Sequence, residues 1–111
     1  MEPLRKKVEF AKTYRLGKSV RTPNFTIKAL QVKESTIKLG IVVPKKVSKK
    51  AVVRNRARRR VREIIRKNIS LAIPGFFVIV NIYTDLSEIN HTNLEKSLIQ
   101  SLQSLKVFKT Q

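Results

Sequence analysis

Between Arg54 and Arg62 six of nine residues are arginine, and four lysines (Lys45, Lys46, Lys49 and Lys50) precede them. A guanidinium is a planar fork that meets two phosphate oxygens with parallel hydrogen bonds and also stacks on bases. The run therefore points to geometric recognition of phosphates rather than diffuse attraction. Asn55 sits inside it and can donate and accept at once, which suits a sugar hydroxyl, a base edge or a metal-bound water. A merely solvated helix face would mix signs. Residues 45–67 hold twelve basic side chains and one acid, Glu63.

Other chemistries are poorly supplied. The chain has no cysteine, which excludes a disulfide scaffold, a thiolate zinc site and a thiol nucleophile. With His91 as the lone histidine, neither a histidine metal site nor a Ser-His-Asp triad is expected. The acids are Glu2, Glu9, Glu34, Glu63, Asp85, Glu88 and Glu95, with no D-x-D spacing. A two-metal nuclease needs several converging carboxylates. Asp85 and Glu88 read as loop solvation and helix N-terminal charge, and His91 as a surface or capping-region residue. Whether the protein carries a metal or anion site of its own stays open at this level.

The basic run dominates the charge of the whole chain. The net charge is +18 over 111 residues: +7 in residues 1–44, +11 in residues 45–67 and zero in residues 68–111. Clustering of this kind fits closely spaced phosphates, and a polyanion is the expected partner. The length fits one domain, 1–111, with a modest core. No run of about 18 apolar residues exists, so no membrane-spanning helix is expected. Met1 to Phe10 has mixed charge and no apolar stretch, unlike a secretory signal. The absence of cysteine is compatible with a cytoplasmic location.

These residues must be positioned by elements readable from periodicity. Residues 7–16 predict a short amphipathic helix carrying Val8, Phe10, Ala11, Tyr14 and Leu16, stopped by Gly17. Asn24 to Val32 alternates like a strand, and Thr36 to Val43 is a second, β-branched strand ending at Pro44. The polar turn Lys33-Glu34-Ser35 between them is compatible with an antiparallel hairpin. Ala51 to Ile69 is the strongest helix, with Val53, Ala57, Val61, Ile64 and Ile65 on one arc. Arg54 falls on that apolar side, which places it in or before the first turn. After Ile73-Pro74-Gly75, the run Phe76 to Tyr83 reads as a strand buried on both faces, with Phe76 and Phe77 in the core. A polar loop over Asp85 to Asn93 then leads to a last helix marked by Leu94, Leu98, Leu102 and Leu105. The order α-β-β-α-β-α predicts an α+β sandwich, one sheet with helices packed on it. The basic helix links two strands in a β-α-β unit, whose geometry would allow them to be parallel neighbours.

Ala51-Val52-Val53-Arg54-Asn55-Arg56-Ala57-Arg58-Arg59 resembles the signature of the bacterial ribonuclease P protein subunit family. Leu39-Gly40-Ile41-Val42-Val43-Pro44-Lys45-Lys46 is similar to the strand and Lys-Lys turn before that signature, and Arg62-Glu63 to the helix after it. Leu4-Arg5-Lys6-Lys7, Phe10, Tyr14 and Gly17 resemble the family's first helix, Phe25 its next-strand aromatic, and Leu94 to Leu105 its last helix. The resemblance runs from about Leu4 to Leu105.

The resemblance implies a two-layer α/β sandwich like the second domain of ribosomal protein S5, with a β-α-β crossover carrying the basic helix. It implies the protein subunit of an endoribonuclease that removes the 5′ leader of precursor tRNA. The catalysis would be the RNA's, with magnesium held mainly by that RNA and none bound by the protein alone. No residue of the protein would be catalytic. The implied partners are ribonuclease P RNA and precursor tRNA, in a complex of one RNA with one monomeric protein. On this sequence the catalytic-RNA contacts would be Lys45, Lys46, Lys49, Lys50, Arg54, Asn55, Arg56, Arg58, Arg59 and Arg62. The leader would lie in a cleft between the first helix and the sheet. There Phe10, Tyr14 and Phe25 are candidates for base stacking and Lys28 for a phosphate contact. The same aromatics also have a packing reading, helix on sheet. The alternative is a ribosomal or other structural RNA-binding protein, whose composition would look the same.

Overall fold

The most apolar strand organises the sheet. In a computed structural model, which describes residues 1–110, Phe76–Ile82 is buried along nearly its whole length. Gln111, the last residue of the expected domain, lies outside the described residues. The elements in chain order are β1 (Glu2–Pro3), α1 (Lys7–Leu16), β2 (Lys18–Arg21), β3 (Phe25–Gln31), β4 (Ile37–Val42), α2 (Ala51–Lys67), β5 (Phe76–Ile82) and α3 (His91–Ser104). A short 3-10 turn, Ile69–Leu71, follows α2. The sheet order is β1-β4-β5-β3-β2. β4 and β5 are parallel neighbours, as the β-α-β reading allows, and β3 pairs antiparallel with β5.

The hairpin expectation is therefore overturned: β3 and β4 are not neighbours, because β5 lies between them. The physical reason is burial. Only a central position covers both faces of a strand as apolar as β5, whereas β3 and β4 alternate. The Lys33-Glu34-Ser35 turn spans the gap, and the chain entering β5 passes between its arms. Val32 N–H donates to Gly75 O at 2.8 Å, and Gly75 N–H donates to Thr36 O at 3.0 Å. Gly75 has φ +95, and a Cβ there would stand 3.0 Å from Val32 O, so glycine is required on both counts.

Two edge strands were not foreseen. β1 has two residues, and β2 (KSVR) is short, charged and mostly exposed, so neither has an apolar alternation to read. α3 starts at His91, earlier than its first leucine, because the Asn90 side chain accepts from the N–H groups of Thr92 (2.9 Å) and Asn93 (3.3 Å). The expected polar loop before it also hides an anchor, Leu86, which is buried.

Strand alternation sorts the core into two unequal parts. Phe25, Ile27 and Ala29 of β3, Ile37 and Leu39 of β4, and Phe76, Val78, Val80 and Ile82 of β5 face one way. There they meet Ala57, Val61, Ile64 and Ile65 of α2 and Leu94, Leu98 and Leu102 of α3. The opposite face holds a small cluster, Leu4, Phe77 and Ile79, with Phe10 against it. α1 therefore lies alone on the far side of the sheet from α2 and α3. Its expected apolar stripe is only partly used: Thr13 is buried and Phe10 half-buried, while Val8 and Leu16 are exposed.

Candidate nucleic-acid interface

α2 forms here because its residues are strong helix formers, and it docks by the predicted arc. Ala57, Val61, Ile64 and Ile65 are buried and Val53 is half-buried, which turns the arginines outward. Arg56, Arg59 and Arg62 are exposed and make no hydrogen bond or ion pair among the described residues. Asn55 is exposed, and its Oδ1 accepts from Arg58 Nη1, so those two side chains form one polar unit. Arg54 is in the first turn, as its place on the apolar arc required. It is half-buried, and its Nη1 donates to Ser48 O at 2.8 Å.

That bond organises the lysines. Val47 N–H donates to Pro44 O at 3.0 Å and Lys50 N–H to Ser48 Oγ at 3.2 Å, so the chain turns tightly between β4 and α2. Lys45, Lys46, Lys49 and Lys50 all project to solvent from this turn. Arg54 is thus a clamp on the lysine turn as well as a charge. The first turn of α2 has no acid and its N-cap, Lys50, makes no side-chain cap. Four lysines beside the positive end of a helix repel it, and an anion there would relieve them.

The second candidate group separates. Phe10, Tyr14 and Lys28 come together on the α1 side of the sheet. Lys28 Nζ donates to Tyr14 O at 2.7 Å, Tyr14 OH donates to Asn81 Oδ1 at 2.8 Å, and the Phe10 and Tyr14 rings lie 6.4 Å apart. Phe25 does not join them. It is fully buried on the opposite face, among residues packed by α2 and α3, and has no ring face to offer a base. The cause is parity: Phe25 and Lys28 are three apart on one strand and must point to opposite faces. Phe10 is also engaged, its ring pressed over Gly40, where a Cβ would come within 2.7 Å of Phe10 Cζ.

Residues that the sequence did not single out complete this face. In the register, Ser19 lies opposite Lys28, Arg21 opposite Thr26, and Thr26 opposite Asn81. The Arg21 guanidinium sits 5.6 Å from the centre of the Tyr83 ring, Thr26 Oγ1 donates to Tyr83 OH at 3.2 Å, and Tyr83 OH donates to Thr22 O. The result is a polar, basic trough across β2, β3 and β5, walled on one side by Tyr14. Its one sequence signal was Asn81, the only polar side chain within Phe76–Tyr83 besides the terminal tyrosine hydroxyl.

The carboxylates do not converge. Glu9 and Glu34 both pair with Lys38, at 3.0 Å and 3.6 Å, and Glu95 pairs with Lys67 at 3.7 Å. Asp85 accepts from Ser87 N–H at 2.9 Å, which holds its carboxyl below the usual aspartate range. No group of three or more metal-capable side chains exists among the described residues.

The comparisons with known proteins agree with this geometry. The family profile described as Ribonuclease P matches residues 1–106. A ribonuclease P protein component from a Pseudanabaena species is 38% identical over 105 residues, covering 94% of this chain and 90% of the relative. One from Clostridioides difficile is 34% identical over 96 residues, 86% of this chain and 83% of the relative. The fold matches the RNase P protein of Staphylococcus aureus with TM-score 0.86 at 27% identity, over 98% of this chain and 99% of that one. It matches the RNase P protein from Thermotoga maritima with TM-score 0.80 at 30% identity, over 99% and 100%. These relatives support that reading over a structural protein of the ribosome. With α2 built as a basic face on a matching fold from end to end, the chain belongs to the ribonuclease P family, as the protein component of an endoribonuclease ribonucleoprotein.

Proposed function

We propose that α2 and the lysine turn before it seat the catalytic ribonuclease P RNA, while the trough on the α1 side of the sheet carries the single-stranded 5′ leader of precursor tRNA. The observation that carries this reading is the division of basic residues between two separate surfaces. One is the exposed face of α2, with arginines at helical spacing, and suits the backbone of a structured RNA. The other is the open sheet face beside α1, with Lys28, Arg21, Tyr14 and Tyr83, and suits an unpaired strand whose bases stack while its phosphates meet cations.

Hydrolysis belongs to the RNA in this scheme, because the carboxylates of this chain are scattered, and Glu9, Glu34 and Glu95 are tied to lysines. Magnesium held by the RNA would supply the activated water. The protein's contribution is to bind and orient: to neutralise phosphates that repel one another, and to hold the leader so that the cleavage point is aligned. One protein with one RNA, in the cytoplasm, is the proposed assembly.

The test is cleavage of precursor tRNA by bacterial ribonuclease P RNA at limiting magnesium, with and without the protein. The protein should accelerate cleavage, and more so for a long leader than for one of a nucleotide or two. Cleavage no faster than with RNA alone refutes the reading. Arg54→Ala with Asn55→Ala should weaken binding to the catalytic RNA more than to random RNA. Equal losses would reduce the segment to an electrostatic patch.

A further inference from the structure

A cleft of about 470 Å³ lies between the first turns of α2 and the segment leading into α3, with Val53, Arg56, Arg60, Asp85, Ser87 and Ile89 in its lining. We propose that this cleft takes one unstacked nucleotide of an RNA, with the base inside and its phosphate on Arg56. The inference rests on the reading of α2 as an RNA-binding surface and adds a specific pocket to it.

The lining carries the argument. Val53 and Ile89 supply apolar surface that a phosphate backbone alone would not use, over the buried Ala57 and Leu86, and the volume falls in the usual range of ligand clefts, about 300–1,000 Å³. Bases pulled out of a structured RNA are the elements that proteins read by packing against side chains. The cleft is also held open. Arg60 reaches across from α2 and donates to Leu86 O at 2.6 Å and Ile89 O at 3.0 Å. Ile89 N–H closes a turn on Leu86 O at 3.0 Å. Arg60 therefore acts as a strut, and the far wall is ordered before anything binds.

The charges fix the orientation. Arg56 is exposed and has no intramolecular partner among the described residues, so its guanidinium is free for a phosphate. Asp85 lines the same cleft as an ionised carboxylate, fixed by Ser87 N–H. It repels a phosphate from its side and can accept from a ring or exocyclic N–H of a base. A hydrophobic side chain from a partner protein would fit the apolar floor. It would leave Arg56 unpaired on a helix with a single acid, and so RNA is the favoured occupant.

Two variants test this. Val53→Phe fills the cleft without altering a charge. It should lower affinity for bacterial ribonuclease P RNA about tenfold while leaving affinity for a random RNA duplex unchanged. Val53→Phe protein that binds both RNAs like the unaltered chain overturns the proposal. The chain has no cysteine, so Ser87→Cys offers a unique thiol at the exposed lip for a photo-crosslinker. Crosslinks to one unpaired nucleotide, or two adjacent ones, support the pocket, even if Val53→Phe fails to fold by circular dichroism. Crosslinks scattered over paired helices overturn it. If the unaltered protein does not prefer ribonuclease P RNA over random RNA, the proposed function fails and the pocket with it. Preference retained with scattered crosslinks removes the pocket alone.

Discussion

The two faces of the sheet are built to different ends. One is covered by α2 and α3 over a continuous apolar core drawn from every strand but β1. The other meets only the ten-residue α1 over a small cluster, Leu4, Phe77 and Ile79 flanked by Val32 and Val42, and carries the polar Thr26, Lys28 and Asn81 beside it. The same strands supply both, by alternation. The contrast teaches how a chain with so much charge and only 41% hydrophobic residues stays folded. It concentrates burial on one side, and the other side is left largely open.

The largest effect should come from breaking the dry face. Phe25 is fully buried there, so Phe25→Ala removes a whole ring from a packed core. The expected loss is about 3–5 kcal/mol, read from urea or thermal unfolding. Leader affinity, measured on the fraction that remains folded, should not change. A selective loss of leader binding with normal stability would return Phe25 to the trough and undo the assignment of faces.

Phe25 also marks where the sequence stopped being legible. Helix α2 and its buried arc, the parallel β4–β5 pair and the burial of β5 were all readable from periodicity, because long apolar patterns dominate local choice. What was not readable depended on partners distant in sequence. β2 lacks any apolar signal and exists because β3 offers it an edge. The insertion of β5 between β3 and β4 is decided by burial on two faces, which no local turn encodes. Arg21 and Tyr83 join Lys28 only through that register, and Arg54 becomes a clamp only once Ser48 O is turned toward it.

A smaller effect should come from the open face. Gly40 lets the Phe10 ring lie flat on β4, and a methyl group there would stand 2.7 Å from Phe10 Cζ. Gly40→Ala should cost about 1 kcal/mol, at the low end of overpacking because the ring can swing aside. Adding Phe10→Ala should remove most of that extra cost in a double-mutant cycle. Additive losses would mean that α1 is not held through this contact.

Lys28→Ala separates binding from stability on the same face. Its amine bonds only Tyr14 O, at a half-exposed site, so unfolding free energy should move by no more than about 0.5 kcal/mol. Binding of a single-stranded leader should weaken, and the slope of log affinity against log salt should fall by about one. An unchanged slope would take Lys28 out of the phosphate path.

The smallest effects are electrostatic, and they separate the two faces by pH. On the dry side, Glu95 joins α3 to the end of α2. Asn68 Nδ2 donates to it at 2.9 Å and Lys67 lies 3.7 Å away; these hold its carboxyl below the ordinary value of 4.5. A carboxylate with a depressed native value stabilises the fold above its unfolded value and loses that contribution as pH falls through the native one. On the open side, Lys38 ties β4 to α1. Its bond to Glu9, chiefly, and the nearby charge of Glu34 raise its value above 10.5. That stabilisation is complete below the ordinary lysine range and is lost as pH rises through the raised value. Glu95→Gln should therefore flatten the acid limb of a melting-temperature profile below pH 4.5 and leave the alkaline limb alone. Lys38→Met should flatten the alkaline limb above pH 10.5. If either substitution reshaped the opposite limb, the two clamps would not be independent, and the faces would be coupled through the sheet rather than merely back to back.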